Sequence, residues 1–198
     1  MIMEKIMLFD GTSLAGWKSI RGGDAAWKVE DGILTVVPRA GNIYTDVTFG
    51  DAMLHLEWME PDMPDKTGQS KANPGVFLQG RYEIQVLDSY GIENPTMSDC
   101  GGIYSQFPPL CNACKPPLTW QTYDILFRAP RFDEVGNLTE HARLTVLQNG
   151  LPIHNNRELP RTCPGGITNI TDEVAQGPLM LQDHGDPIMF RNIWMIKL

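Results

Sequence analysis

The chain has 198 residues, 42% of them hydrophobic and 20% charged, with a formal net charge of −8 and a pI near 4.9. That length suits one medium domain, 1–198, whose core can fold without covalent staples, and the composition excludes a disordered chain. The acidic balance and the lack of any Lys or Arg run set nucleic acid and anionic membranes aside as partners, leaving small molecules and sugars.

The opening "MIMEKIMLFDG" has no long apolar core and no small-residue cleavage site. The expectation is a cytoplasmic protein, or a periplasmic or secreted one if a leader has been removed. No apolar stretch reaches membrane-spanning length. Helical periodicity is scarce, whereas strand alternation recurs along the chain. "WKVEDGILTVVP" predicts two short strands, 27–29 and 33–37, joined at Glu30-Asp31-Gly32. "AMLHLEWMEP" sets Leu54, Leu56 and Trp58 on one face and His55 and Glu57 on the other. "GVFLQGRYEIQVLDSY" predicts strands over 76–79 and 82–87 around a Gly80-Arg81 turn, and "GGIYSQF" a short strand near Ile103.

"PPLCNACKPPLTW" is a loop, because proline cannot join a sheet interior. It carries Cys111 and Cys114 as a CxxC, with Cys100 and Cys163 standing alone. Structural zinc needs two such pairs or nearby histidines, so the cysteines read as reduced thiols, or as one or two disulfides in an exported protein. "WQTYDILFRAP" alternates over 121–128, and "ARLTVLQNGLPIHNN" is a hairpin turning at Asn149-Gly150. Two last strands, 179–181 and 188–196, flank the polar knot "QDHGD", which reads as a turn between them that also delivers His184 to a ligand groove. The architecture predicted is a single antiparallel β-sandwich.

Three strands present polar faces that ordinary solvation does not require. Glu83 and Gln85 share one face of "YEIQVL", His55 and Glu57 one face of "LHLEW", and Gln182 and His184 one face of "LMLQDH". If neighbouring strands align these faces, Glu57, Glu83, Gln85, Gln182 and His184 line one groove. A carboxylate such as Glu83 in an apolar strand is unfavourable unless paired or used. Asp183 and Asp186 stand close enough in sequence to orient His184, and Arg191 would either pair with a carboxylate or anchor a ligand oxygen. Trp27, Tyr104 and Trp120 sit where rings could stack on a sugar, although core packing is the simpler fate of a Trp. His141 and His154 lie in surface-like contexts and receive no role. No motif demands a cofactor, but His184, Glu83 and Glu57 could hold a divalent metal if they converge.

Together "LFDGTSLAGW", "WKVEDGILTV", "NPGVFLQGRYEIQVLDSY", "GGIYSQFPP", "WQTYDILFRAPRF", "VLQNGLPIHNN" and "LQDHGDPIMFRNIWMIKL" resemble the 3-keto-disaccharide hydrolase family over nearly the whole chain. The resemblance implies a concanavalin A-like jelly roll: two antiparallel sheets, one with a concave ligand face. It implies cleavage of 3-keto-glycosides, in which the C3 ketone acidifies the C2 proton. Removing that proton expels the C1 aglycone, and water then adds to the enone. Glucanases of similar fold carry an E-x-D-x-E strand; here the matching strand reads Glu83, Gln85, Leu87, so a carboxylate pair is missing. "CNAC" departs from the family pattern.

On this reading Glu83 or His184 is the base and Asp186 orients His184, which makes these three the candidate catalytic group. Glu57, Gln85, Tyr104, Gln182 and Arg191 would bind substrate, with Arg191, Gln182 or a cation at the developing oxyanion. The competing reading is a non-catalytic, lectin-like carbohydrate-binding module. The sequence sets no oligomeric state.

Overall fold

A computed structural model describes residues 4–167 and 172–198. Among them the strands are β1 (Lys5–Phe9), β2 (Trp17–Ser19), β3 (Lys28–Glu30), β4 (Ile33–Thr35), β5 (Ile43–Phe49), β6 (Ala52–Met59), β7 (Gly75–Leu78) and β8 (Tyr82–Gln85). They continue with β9 (Gln121–Arg128), β10 (Arg131–Phe132), β11 (Leu138–Glu140), β12 (Ala142–Gln148), β13 (Leu151–Leu159), β14 (Gly177–Leu181) and β15 (Met189–Lys197). A 3₁₀ turn at Gly68–Ser70 is the helical element among the described residues, and no helix there is long and apolar enough to cross a membrane.

Eight strands form one antiparallel sheet in the order β13-β12-β9-β6-β15-β4-β3, with β1 also paired to β15. Five form a second, β2-β5-β14-β7-β8, and β10 and β11 make a small hairpin. Alternation explains which faces meet. Leu54, Leu56 and Trp58 of β6 and Tyr123, Ile125 and Phe127 of β9 turn inward from the large sheet. Tyr82, Ile84, Leu179, Leu181 and Ile43 come from the smaller one. Aromatic rings meet between the layers: Phe127 lies edge-on to Phe49 at 6.0 Å and tilted against Tyr82 at 5.7 Å. The Tyr123 hydroxyl donates to the Gln85 carbonyl of the other sheet at 2.7 Å. This is the expected all-β sandwich, a concanavalin A-like jelly roll.

The turns follow their residues. Asn149 and Gly150 have φ of 52° and 80° between Gln148 and Leu151, the paired left-handed conformation that suits a two-residue hairpin. Asp31 and Gly32 close β3 onto β4 in the same way, at φ of 50° and 78°.

Three expectations need correction. The strand predicted over 82–87 ends at Gln85, and the one near Ile103 reduces to single bridges with Ile84 and Phe107. The left-handed Gly101 (φ 78°) and Ser105 (φ 60°) bend that segment too sharply for a continuous strand. Most consequential, "QDHGD" does not close a hairpin. Strand β14 pairs with β5 and β7, whereas β15 pairs with β6, β4 and β1, so residues 182–188 carry the chain from one sheet to the other.

Phe127, with 2% of its surface exposed, packs between the layers, while Leu126 beside it points outward and is 47% exposed. Replacing Phe127 by Ala should cost about 3–5 kcal/mol in urea unfolding, against no more than about 0.5 kcal/mol for Leu126→Ala.

Candidate functional site

Strand β8 is buried on both sides. Tyr82 and Ile84 enter the core, and Glu83 and Gln85 face away from it, yet these two are only 4% and 1% exposed. They lie instead at the floor of a cavity of about 240 Å³ lined by Gln69, Asn73, Glu83, Gln85, Tyr104, Pro164, Gly165, Gln182 and His184. Four chain segments build its walls, one of them carrying Gln69 and Asn73. Gln182 follows directly on β14, its backbone N–H donating to the Gly75 carbonyl at 3.0 Å. Tyr104 arrives on a segment that pairs irregularly with β8 through Gly101 N to Gln85 O, Gln85 N to Gly102 O and Tyr104 N to Glu83 O. Residues 163–167 are pinned at the β7–β8 turn by Cys163 N to Arg81 O at 2.7 Å and Ile167 N to Gly80 O at 2.8 Å.

Gly75 makes room for the carboxylate. A Cβ there would stand 2.3 Å from Glu83 Oε1 and 2.6 Å from Phe77 Cε2, so no side chain fits while Glu83 keeps its position. The Glu83 carboxylate has no hydrogen-bonding partner among the described residues, and burial pushes its pKa up to about 8. Gln85 Oε1 is likewise buried without a partner. An isolated acid and an unsatisfied amide oxygen, both aimed into a cavity, are what a polar ligand would complete. In the larger cleft around Ile20, Tyr44, Asp46 and Ile167 the buried polar residue is Thr45, whose hydroxyl already donates to the Val47 carbonyl at 2.7 Å.

His184 is exposed at the cavity's rim. Its neighbours do not orient it as expected. Asp186 Oδ1 instead accepts from Lys66 Nζ at 2.9 Å and is absent from the cavity lining, which corrects its assignment as the partner of His184. Asp183 shapes the crossover: its carboxylate accepts from Gly41 N at 2.8 Å and Gly185 N at 2.9 Å, and its own N–H donates to Asn42 Oδ1.

The cavity thus brings together Glu83, Gln85, Tyr104, Gln182 and His184, but neither Glu57 nor Arg191. Those two sit on β6 and β15, on the outward face of the large sheet. There Arg191 Nε donates to Glu57 Oε2 at 2.6 Å, and Asn192 Nδ2 donates to Glu57 Oε1 at 2.9 Å. Burial pushes the Glu57 carboxyl up, but these bonds and the guanidinium outweigh it and hold the group below its usual value. His55 contacts Asp124 at 2.7 Å and stacks on Trp194, and the Arg191 guanidinium lies 4.0 Å over Trp120. A divalent metal held by His184, Glu83 and Glu57 therefore does not fit, because Glu57 belongs to the other sheet. Among the described residues no three His, Cys, Asp or Glu side chains are placed to hold one.

Trp27 is buried on Phe190 and donates to the Gly41 carbonyl, and Trp120 lies under Arg191; neither lines the cavity. His154 is not on the surface: it is 1% exposed, and its Nε2 meets the Gly101 carbonyl at 2.7 Å. It thereby braces the segment that walls the site. Strand alternation does not find Gln69, Asn73, Pro164 or Gly165. Asn73 Nδ2 bonds to the Gln69 side chain at 2.8 Å; Gln69 sits in the 3₁₀ turn and Asn73 in the loop after it, where strand alternation gives no signal.

Residues 4–196 match the family model described as the 3-keto-alpha-glucoside-1,2-lyase-like domain. Among solved structures, a Parabacteroides distasonis protein assigned provisionally as a glycosyl hydrolase shares 41% identity, with 98% of this chain and 84% of that one covered and a TM-score of 0.89. Two further provisional glycosyl hydrolases from the same organism share the fold. One is 18% identical at a TM-score of 0.70, covering 98% of this chain and 94% of its own. The other is 21% identical at 0.67, covering 98% and 100%. Among curated proteins none matches.

Gly75→Ala should destabilise the fold by about 1–3 kcal/mol and displace Glu83, seen as weakened ligand binding in a protein that still melts cooperatively. Because the Glu83 pKa is raised from 4.5 to about 8, its contribution to stability is full below pH 4.5 and is lost as pH rises through 8. Buried Glu60, raised to about 7, adds to the same slope. Urea titrations at pH 5 and pH 9 should therefore show Glu83→Gln losing less stability than the parent, by a few kcal/mol, on the order of that expected from such a shift.

Proposed function

The chain belongs to the 3-keto-α-glucoside-1,2-lyase-like family, a carbohydrate-active, hydrolase-like group, and we propose that it cleaves 3-keto-glycosides by elimination and hydration. One observation carries this reading: Glu83 is the sole carboxylate lining the cavity, and it is held there without a partner among the described residues. Ordinary glycoside hydrolysis uses two acids flanking the scissile bond. Elimination needs a single base, because the C3 ketone supplies the acidity at C2.

In the proposed sequence the Glu83 carboxylate takes the C2 proton, and the electron pair moves into an enolate whose charge rests on the C3 oxygen. The Gln182 amide N–H donates to that oxygen. Gln85 Oε1 accepts a sugar hydroxyl, which satisfies an atom otherwise buried without a partner. Collapse of the enolate breaks the C1–O bond, and His184 at the rim protonates the departing aglycone oxygen. Water then adds at C1 and gives up a proton to His184, while Glu83 returns its proton to C2, giving the free 3-keto sugar and restoring both residues. Burial makes Glu83 a better base, since a carboxylate with a pKa near 8 binds a proton more strongly than one at 4.5 and still ionises close to neutral pH.

The test is product analysis by NMR in deuterated water, comparing a 3-keto-glucoside with its unoxidised parent, with and without a chelator. The expected result is cleavage of the keto compound alone with deuterium entering at C2. The chelator arm reads any contribution from a divalent ion. Glu83→Gln should lower kcat by about 10²-fold or more. In the parent enzyme kcat/KM should rise with pH through a limb near 8, since the base must be ionised. Cleavage of both glycosides alike would discard the ketone's role, and saturable binding with no turnover would replace the enzyme by a lectin-like module.

A further inference from the structure

The "CNAC" motif takes no part in this chemistry, yet it is built into the wall behind the site. All four cysteines are free thiols. Cys111 is exposed, Cys114 half-buried and Cys100 buried. The Gln148 side-chain amide nitrogen lies 3.4 Å from Cys100 Sγ and 3.3 Å from Cys114 Sγ, so the two sulfurs flank one atom in the interior. The loop that carries Cys114 is already docked: Asn112 Nδ2 donates to the carbonyls of Ser89 at 2.7 Å and Ile92 at 2.9 Å. Ser89 in turn holds the other cysteine, accepting from Cys100 N on its Oγ at 2.9 Å.

We propose that Cys100 and Cys114 are a dithiol that closes to a disulfide when the folded protein meets a small-molecule disulfide, fastening the CNAC loop to the segment that walls the site. In the first step the Cys114 thiolate attacks the external disulfide, forming a mixed disulfide and releasing one reagent thiol. In the second the Cys100 thiolate attacks the Cys114 sulfur and releases the other. Two protein thiols lose two protons and two electrons, and the reagent is reduced to two thiols. Burial pushes the Cys100 thiol well up, with Cys114 adding to the effect, which makes Cys114 rather than Cys100 the entry point.

The pairing is not the one the sequence spacing suggests. Cys111 is in the CxxC with Cys114 but is exposed, whereas Cys114 shares the Gln148 amide with Cys100 from a different segment. The crosslink would act directly behind the cavity floor. Gly101 N donates to Gln85 O and Gln85 N donates to Gly102 O, both at 2.9 Å, and the Tyr123 hydroxyl touches both Cys100 Sγ, at 3.4 Å, and Gln85 O. Tying Cys100 to a second loop therefore fixes the register of the strand that holds Gln85 and Glu83.

The experiment incubates the folded, full-length protein with oxidised glutathione, then counts thiols, measures intact mass and maps non-reduced peptides. The expected result is a fall from four thiols to two, a peptide joining Cys100 to Cys114, and a Tm raised by about 6–12 °C, the size expected for closing a loop of this length. Cys111→Ser should keep both the crosslink and the Tm rise, while Cys114→Ser should lose both. A Cys111–Cys114 crosslink, or glutathione adducts without any internal bridge, would overturn the proposal. The native protein and Cys111→Ser decide the matter even if Cys114→Ser fails to fold.

Discussion

Strand β8 has no face left to water. Its inward side chains, Tyr82 and Ile84, pack against the large sheet, and its outward ones, Glu83 and Gln85, lie beneath segments from four parts of the chain. A strand placed this way would ordinarily be apolar throughout, because a buried carboxyl without a partner is costly. Here the cost is met by keeping the acid protonated near neutral pH, and the surroundings are shaped to hold it. Gly75 withholds a side chain, Gly165 lies against Gln182, and the Gly101–Tyr104 segment is braced by His154 from behind. On the proposed function, these features together receive a polar ligand in the cavity.

The second organising fact is the change of sheet between β14 and β15. Residues 182–188 leave the smaller sheet with Gln182 and His184 at the cavity and deliver Arg191 to the far side of the molecule. Two polar surfaces result, built differently. The outward face of the large sheet is self-satisfied, with His55, Asp124, Asn192, Glu57 and Arg191 bonded to one another. The cavity leaves the Glu83 carboxylate and Gln85 Oε1 without partners among the described residues. Polar composition alone does not separate these two cases; hydrogen-bond satisfaction does.

That difference also sets how much can be read from residues in order. Alternation locates the strands and their inward faces, and Asn149-Gly150 locates its turn, because these depend on neighbours along the chain. Alternation also singles out Glu83 and Gln85 as too polar for their strand. It cannot say which strands share a sheet, so parity alone groups Glu57 with Glu83. The contributions of Gln69, Asn73 and Gly165, from a 3₁₀ turn and from loops, are silent for a related reason: their positions come from tertiary docking, which has no period.

Strand β15 occupies the middle of the large sheet, with β6 on one side and β4 and β1 on the other. It follows every other strand in the chain, and its partners reach back to Lys5, which stands opposite Ile196. During synthesis β3 with β4 on one flank and β6, β9, β12 and β13 on the other can assemble only as separate pieces, and β1, which pairs with β15, waits for that strand. The edges of β6 and β4 that β15 will fill stay open until then. Closure of the sandwich is thus a late, long-range event that pays its loop entropy all at once, the kind of step that makes a β topology slow and exposed to off-pathway pairing. The polar network of Glu57, Arg191 and Asn192 spans one of those seams, so it forms only when the missing centre strand has arrived in register.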